Sequence, residues 1–260
     1  MKINLPSLHR RQLDVARHPA RFKVVSAGRR FGKGILGIGE CFKRAIKGQK
    51  CRWVAPSYAS DSYQAGWSVA VFMARQIPGV EVHLQKRLID FAGLGGGWLQ
   101  FRTAEEPDAL RGESIDFVVF DEAAHIGDLE STWEQCVRPS LMDRRGHAWF
   151  ISTPRGFNYF ETLYRRAQSD PAWAAFQYPT SANPHIDADE IEAMRKSLPA
   201  LIGRQEIDAE FVQLAGALFK RENVQLIDEP PAGLQWVRSW RSEEHTSELQ
   251  SRFGISYAVF

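Results

Sequence analysis

One segment limits what this chain can fold into more than any other. It is an apolar stretch that runs directly into a glycine-studded turn and then into a helical pattern: RFKVVSAGRRFGKGILGIGECFKRAIKG, residues 21–48. Residues 21–28 read as a short buried strand, and residues 35–48 have helical spacing and end on a glycine. A strand, a glycine turn and a helix start, in that order, suit an anion. The N–H groups that open a helix have no partner inside it, and the helix dipole favours negative charge there. Gly28 and Gly32 let the backbone curl closely around a phosphate. Lys33 follows Gly32 and can reach the outer phosphates, while Arg29 and Arg30 add two cations at the mouth, just before Phe31. Measured against the spacing G-x-x-x-x-G-K-[ST], two positions depart. Ala27 stands for the first glycine, which is mild because alanine is small. Gly34 stands for the hydroxyl residue, which matters more because that hydroxyl normally binds Mg²⁺. Taken alone, the loop fits a nucleotide site or a plain strand-to-helix turn.

The rest of the chain repeats the alternation. Strands are expected at 50–57, 97–104, 115–124 and 147–156. Helices are expected at 62–77, 131–146, 158–169, 187–198 and 200–211, with residues 93–97 (GLGGG) as a turn. Strands alternating with helices predict an α/β fold with a mainly parallel central sheet flanked by helices. No apolar run reaches the roughly 18–20 residues that span a bilayer, and the N-terminus lacks a signal-peptide core, so no membrane role is expected. Cys41, Cys51 and Cys136 lie far apart without metal-ligand spacing and read as reduced thiols of a cytoplasmic protein. A formal charge of +2 is too small to argue for nucleic acid by itself.

A second site decides what the loop is for. In FVVFDEAAH, Phe117 to Phe120 deliver Asp121 and Glu122 to the C-terminal end of a buried strand, the edge where ligands bind in open α/β sheets. Asp121 is expected to hold Mg²⁺, and Glu122 to orient and deprotonate the water that attacks the γ-phosphate of ATP. A third strand end, FISTPRG, places Ser152 and Thr153 where hydroxyls can exchange partners when that phosphate leaves. The expectation is that Lys33 and the two carboxylates meet across adjacent strand tips.

With these stretches in place, the chain resembles the ATPase domain of the large terminase subunit of tailed bacteriophages. SAGRRFGKG is similar to that family's arginine-bearing Walker A loop, FVVFDEAAH to its Walker B strand and FISTPRG to its coupling motif. WVAPSY (53–58), the run 103–122 and RQEIDAEF (204–211) extend the likeness. The resemblance implies a P-loop NTPase fold of the ASCE, RecA-like type and an ATP-driven motor that moves double-stranded viral DNA into a procapsid. It implies a homo-oligomeric ring, with portal protein and small terminase subunit as partners, in the cytoplasm of a bacterial host. By the same resemblance, Gln12 reads the adenine edge, and Arg138 is an arginine finger offered to a neighbouring subunit; a structural ion pair would use Arg138 equally well. Arg29 or Arg30 could play the finger's part within one chain. Arg144, Arg145, Arg165 and Arg166 are candidate contacts to the DNA backbone.

The family's ATPase domain precedes an RNase H-like nuclease domain. Residues 1–215 are expected to be the ATPase domain and 216–240 a linker, with LQWVRSW (234–240) as the start of the nuclease. Residues 241–260 resemble translated sequencing adapter, so no nuclease activity is expected of this chain. Two other readings stay open: a P-loop helicase or translocase fragment, and a non-catalytic nucleotide-binding assembly protein with a degenerate loop at Gly34.

Overall fold

In the computed structural model, residues 5–213 are described, all within one compact unit, Met1–Ala217. The expected linker, nuclease start and adapter-like tail lie outside the described residues. Eight strands form one sheet: β1 (Phe22–Ala27), β2 (Lys50–Ala55), β3 (Glu81–His83), β4 (Leu88–Asp90), β5 (Trp98–Thr103), β6 (Phe117–Asp121), β7 (His147–Ser152) and β8 (Trp173–Tyr178). Their spatial order is β3-β4-β5-β2-β6-β7-β1-β8. From β5 to β8 every pairing is parallel, and β3 and β4 form an antiparallel hairpin on the β5 edge.

The central strands read as unbroken apolar runs because both faces of the sheet are covered. Along β6, Phe117 and Val119 enter one core, and Val118 and Phe120 enter the other. Trp149 and Ile151 of β7 follow the first pair, and Ala148 and Phe150 follow the second. The first core lies under α1 (Arg10–Arg17), α2 (Lys33–Ala45) and α3 (Asp61–Ala74). The second lies under α4 (Leu129–Ser131), a π-helical stretch (Thr132–Val137), α5 (Arg138–Ser140) and α6 (Tyr159–Arg166). Trp133 anchors it, edge-on to Phe22, Phe120 and Phe150. Helix α2 packs tightly on the sheet because Gly37 presents no side chain. A Cβ there would lie 2.9 Å from Trp53 and 3.2 Å from Val119.

Three expectations need correction. The β3–β4 hairpin and β8 have no counterpart in the sequence reading. The hairpin strands are three residues each, too short to show a period, and β8 is an edge strand whose burial fades along its length. The helix expected over 200–211 is α8 (Ala200–Glu206), which follows α7 (Ala188–Ser197) and stops five residues early. Ala209 has φ 58°, which ends any helical continuation. Finally, β1 and β6 are not adjacent, because β7 lies between them. The strand carrying Ser152 therefore separates the loop strand from the carboxylate strand.

Candidate nucleotide site

The loop between β1 and α2 is fixed from outside through its carbonyls. Those of Ala27 and Gly28 accept from Lys33 Nζ, at 2.8 and 3.4 Å. The Arg29 carbonyl accepts from Thr180 Oγ1 and the Arg30 carbonyl from Asn183 Nδ2, at 2.8 and 2.7 Å. The Phe31 carbonyl faces His9 Nε2 at 3.1 Å, and the Gly32 carbonyl accepts from Gln12 Nε2 at 3.0 Å. With six successive carbonyls held by protein groups, the N–H groups that open α2 at Lys33, Gly34 and Ile35 have no acceptor within the helix. Arg30 and Gly32 bend the chain into this shape with φ 62° and 93°. Gly28 is required by close approach: a Cβ would lie 2.4 Å from the Ile207 carbonyl. Phe31 is buried and stacks on Tyr178 at 5.3 Å, which makes it a structural anchor of the loop.

Gln12 lies beside the loop. Both ends of its amide are used inside the protein, since Oε1 accepts from the His9 N–H at 3.0 Å while Nε2 holds Gly32. Arg29 pairs with Glu206 at 2.5 Å, and its N–H donates to the Glu206 carbonyl. The end of α8 thus grips the loop through Glu206, and the Ile207 carbonyl that follows packs against Gly28. Thr180, Asn183, His9 and Glu206 carry no sequence signal for this role; they reach the loop only through the fold.

Across β7, Asp121 and Glu122 end β6. A single cleft of about 270 Å³ is lined by Arg30, Lys33, Gly34, Ser62, Asp121 and Glu122, among others. Lys33 and the carboxyl pair therefore face one space, although their strands are not neighbours. The β7 end joins them: Thr153 Oγ1 accepts from Lys33 Nζ at 3.0 Å. Ser152 Oγ and the Thr153 N–H point at Glu122 Oε2, at 3.1 and 3.4 Å. Glu122 adopts φ 45°, a strained conformation for a residue with a side chain.

Charge in this cleft is unbalanced. Burial pushes the Lys33 amine below its usual value, against the pull of Glu122 and Asp121. Burial, reinforced by the Glu122 charge, pushes the Asp121 carboxyl up to about 8. Burial alone would also raise Glu122, but His125, the Lys33 charge and the Ser152 hydroxyl outweigh it and hold the carboxyl at about 2. His125 Nδ1 lies 3.5 Å from Glu122, a partner that the DEAAH stretch contains but that the sequence reading left without a role. A buried carboxylate that resists ionisation beside a second, ionised one is a place that favours a cation. The residues present therefore fit a divalent metal held by Asp121.

The other predicted arginines lie elsewhere. Arg138 pairs with Glu134 at 2.5 Å, and its charge acts on Arg21, the residue just before β1. Lys33 lies beyond the other end of β1, so a strand of six residues, roughly 20 Å at ~3.3 Å per residue, separates the two regions. Arg138 is thus remote from the cleft of its own chain. Arg144 pairs with Asp116, Arg165 with Glu161, and Arg166 with Glu134 and Asp170.

The family model for the terminase large subunit, T4likevirus-type, N-terminal, matches residues 24–226. The chain belongs to this terminase family. It is 31% identical over 216 residues to the terminase large subunit of Escherichia phage T5, a match covering 81% of this chain and 48% of that one. It is 28% identical to the large subunit of Thermus virus P23-45, covering 81% and 50%. The chain spans about half the length of these terminase relatives. Among solved structures, the ATPase domain of the Thermus phage P74-26 large terminase superposes with TM-score 0.64 at 27% identity, covering 79% of this chain and 94% of that one. The large terminase of another thermophilic bacteriophage, in complex with ADP, shares the fold at TM-score 0.62 and 15% identity, covering 78% and 53%. The fold is that of terminase ATPase domains, a P-loop NTPase fold with a mainly parallel sheet, as the alternating pattern predicted. Among the described residues no helix is long and apolar enough to cross a membrane.

Proposed function

We propose that this chain is the ATPase part of a terminase motor that hydrolyses Mg²⁺-ATP in the Lys33–Asp121 cleft to drive double-stranded viral DNA into a procapsid. One observation carries the reading. A buried lysine at the start of α2 and a carboxyl pair at the end of β6, Asp121 buried and Glu122 half-buried, face the same cleft, and the hydroxyls at the end of the strand between them contact both. Membership of the terminase family supplies the substrate class and the task.

In this reading the free N–H groups at the start of α2 bind the β-phosphate. Lys33 leaves the Ala27 and Gly28 carbonyls to pair with the β- and γ-phosphates, and Arg29 and Arg30 lie at the mouth. Mg²⁺, when bound, offsets charge on the phosphates, with Asp121 as its protein ligand. Glu122, ionised at neutral pH and fixed by Ser152, Thr153 and His125, orients the attacking water and accepts its proton as the bond to the γ-phosphoryl group breaks. Ser152 and Thr153 touch both Glu122 and Lys33, so loss of the γ-phosphate changes contacts on β7 and gives ATP and ADP states different energies. Gln12 reads adenine by exchanging the Gly32 carbonyl for the base edge. Arg138, remote from its own cleft, serves a neighbouring copy in a ring, where a guanidinium is worth roughly 10³–10⁵ in rate in related chemistry. DNA is held by its phosphates without regard to sequence, with portal protein and small subunit completing the assembly in the host cytoplasm. Residues 1–215 form the ATPase domain.

The test is steady-state ATP hydrolysis by the purified chain, with and without Mg²⁺ and double-stranded DNA. Turnover that requires Mg²⁺ and rises with DNA is expected. Tight nucleotide binding without turnover in any condition would favour the non-catalytic assembly protein.

A further inference from the structure

Gly34 deprives the loop of the hydroxyl that ordinarily faces the metal, yet the cleft contains another. Ser62, the second residue of α3, lines the same space as Lys33, Gly34, Asp121 and Glu122. Strand β2, which leads into α3, is the direct neighbour of β6, with Val54 opposite Phe120, so Ser62 and Asp121 follow adjacent strand ends. The start of α3 is held in place. Ser60 caps it by accepting from the Tyr63 N–H at 3.3 Å while donating to the Ser57 carbonyl at 2.6 Å. The Tyr58 N–H donates to Glu105 Oε2 at 3.0 Å, and Gln64 Nε2 donates to the Tyr58 carbonyl at 2.7 Å. Ser60 is thus committed to the cap, whereas Ser62 Oγ makes one long 3.3 Å contact to Ser60 Oγ. On the opposite wall, a Cβ added at Gly34 meets nothing within 4 Å, so the space that a loop hydroxyl would fill is open.

We propose that Ser62 supplies from α3 the hydroxyl oxygen that position 34 lacks, completing the oxygen set for the divalent cation directly or through one water. A hydroxyl is a hard oxygen donor suited to Mg²⁺, which keeps most of its remaining ligands as water. This inference rests on the Mg²⁺-ATP reading above and is separable from it.

The experiment is a double-mutant cycle on the full chain with ATPγS as probe. It reads the Mg²⁺ concentration needed for half-maximal nucleotide binding, together with binding in EDTA. Ser62→Ala is expected to raise the Mg²⁺ requirement about tenfold and to leave metal-free binding unchanged, while Ser62→Thr keeps the parental requirement. In a Gly34→Thr background, which restores the loop hydroxyl, Ser62→Ala is expected to cost less than about twofold. Equal losses in both backgrounds, no loss in either, or an equal loss in EDTA would overturn the assignment. No ATPγS binding by the parental chain would overturn the ATPase reading and this inference with it.

Discussion

The two rims of the parallel sheet share the same strands and the same two cores, yet they differ in how their charged and strained groups are gathered. At the C-terminal rim, Arg30 and Glu122 take left-handed conformations, a lysine is buried, and one carboxyl is pushed up to about 8 while its neighbour is held at about 2. At the N-terminal rim, several charged groups are paired by ordinary means. Arg21 Nε donates to the Gly146 carbonyl at 2.8 Å, Asp116 accepts from the Lys50 N–H at 2.7 Å, and Arg138 pairs with Glu134. Strain occurs at both rims, since at the N-terminal rim Arg145 has φ 49° and burial lowers His147 to about 4; at the C-terminal rim the strained groups Arg30, Lys33, Asp121 and Glu122 line one cleft. Strained groups gathered around a cleft at strand tips are the expected signature of a binding site, because folding alone gains nothing from them.

The contrast breaks most sharply at Lys33. Lys33→Ala should abolish nucleotide binding and lower turnover by roughly 10³-fold or more, since backbone amides alone cannot offset a triphosphate's charge. Calorimetric titration with ATPγS and a turnover assay check this, and parental affinity would move the site elsewhere. A smaller effect follows from Asp121. Its folded-state value is raised to about 8, so below that pH a proton competes with the cation. The Mg²⁺ requirement for nucleotide binding should therefore rise about tenfold per unit as pH falls from 8 to 6, and flatten above 8. The same raised value means that ionised Asp121 costs stability, so Asp121→Asn should raise the melting temperature at pH 8 while removing the pH dependence of metal binding. The smallest effects compare the rims directly. Asn183→Ala frees the Arg30 carbonyl and should weaken ATPγS binding several-fold, equivalent to ~1 kcal/mol for one hydrogen bond. Arg138→Ala, at the opposite rim, should leave ATPγS affinity of the isolated chain within about twofold, and should act only on turnover in assemblies. Equal losses in the two variants would remove the distinction between the rims.

Much of the C-terminal rim was legible in the sequence, because its key residues end apolar runs. Val24 and Val25 deliver the loop, Phe117 to Phe120 deliver Asp121 and Glu122, and Phe150 and Ile151 deliver Ser152. Period, strand burial and chain order suffice to bring such positions to one edge. The braces were not legible. Thr180 and Asn183 hold carbonyls some 150 positions earlier in the chain, and Glu206 grips Arg29 from 177 positions away. Nothing local marks a threonine or an asparagine for such a task. The intervening place of β7 was missed for the same reason, since strand order depends on crossovers that local pattern does not encode. Ser62 was hidden in a helix start whose three serines look alike in sequence, and capping geometry alone separates Ser60 from Ser62.

The proposed chemistry turns on Glu122 acting on ATP held between Lys33 and Asp121. Incubating Glu122→Gln with radiolabelled Mg²⁺-ATP, removing free nucleotide and identifying what stays bound tests it most directly. Near-stoichiometric ATP is expected to be recovered intact, where the parental chain yields ADP. ADP formed by Glu122→Gln at the parental rate would contradict it.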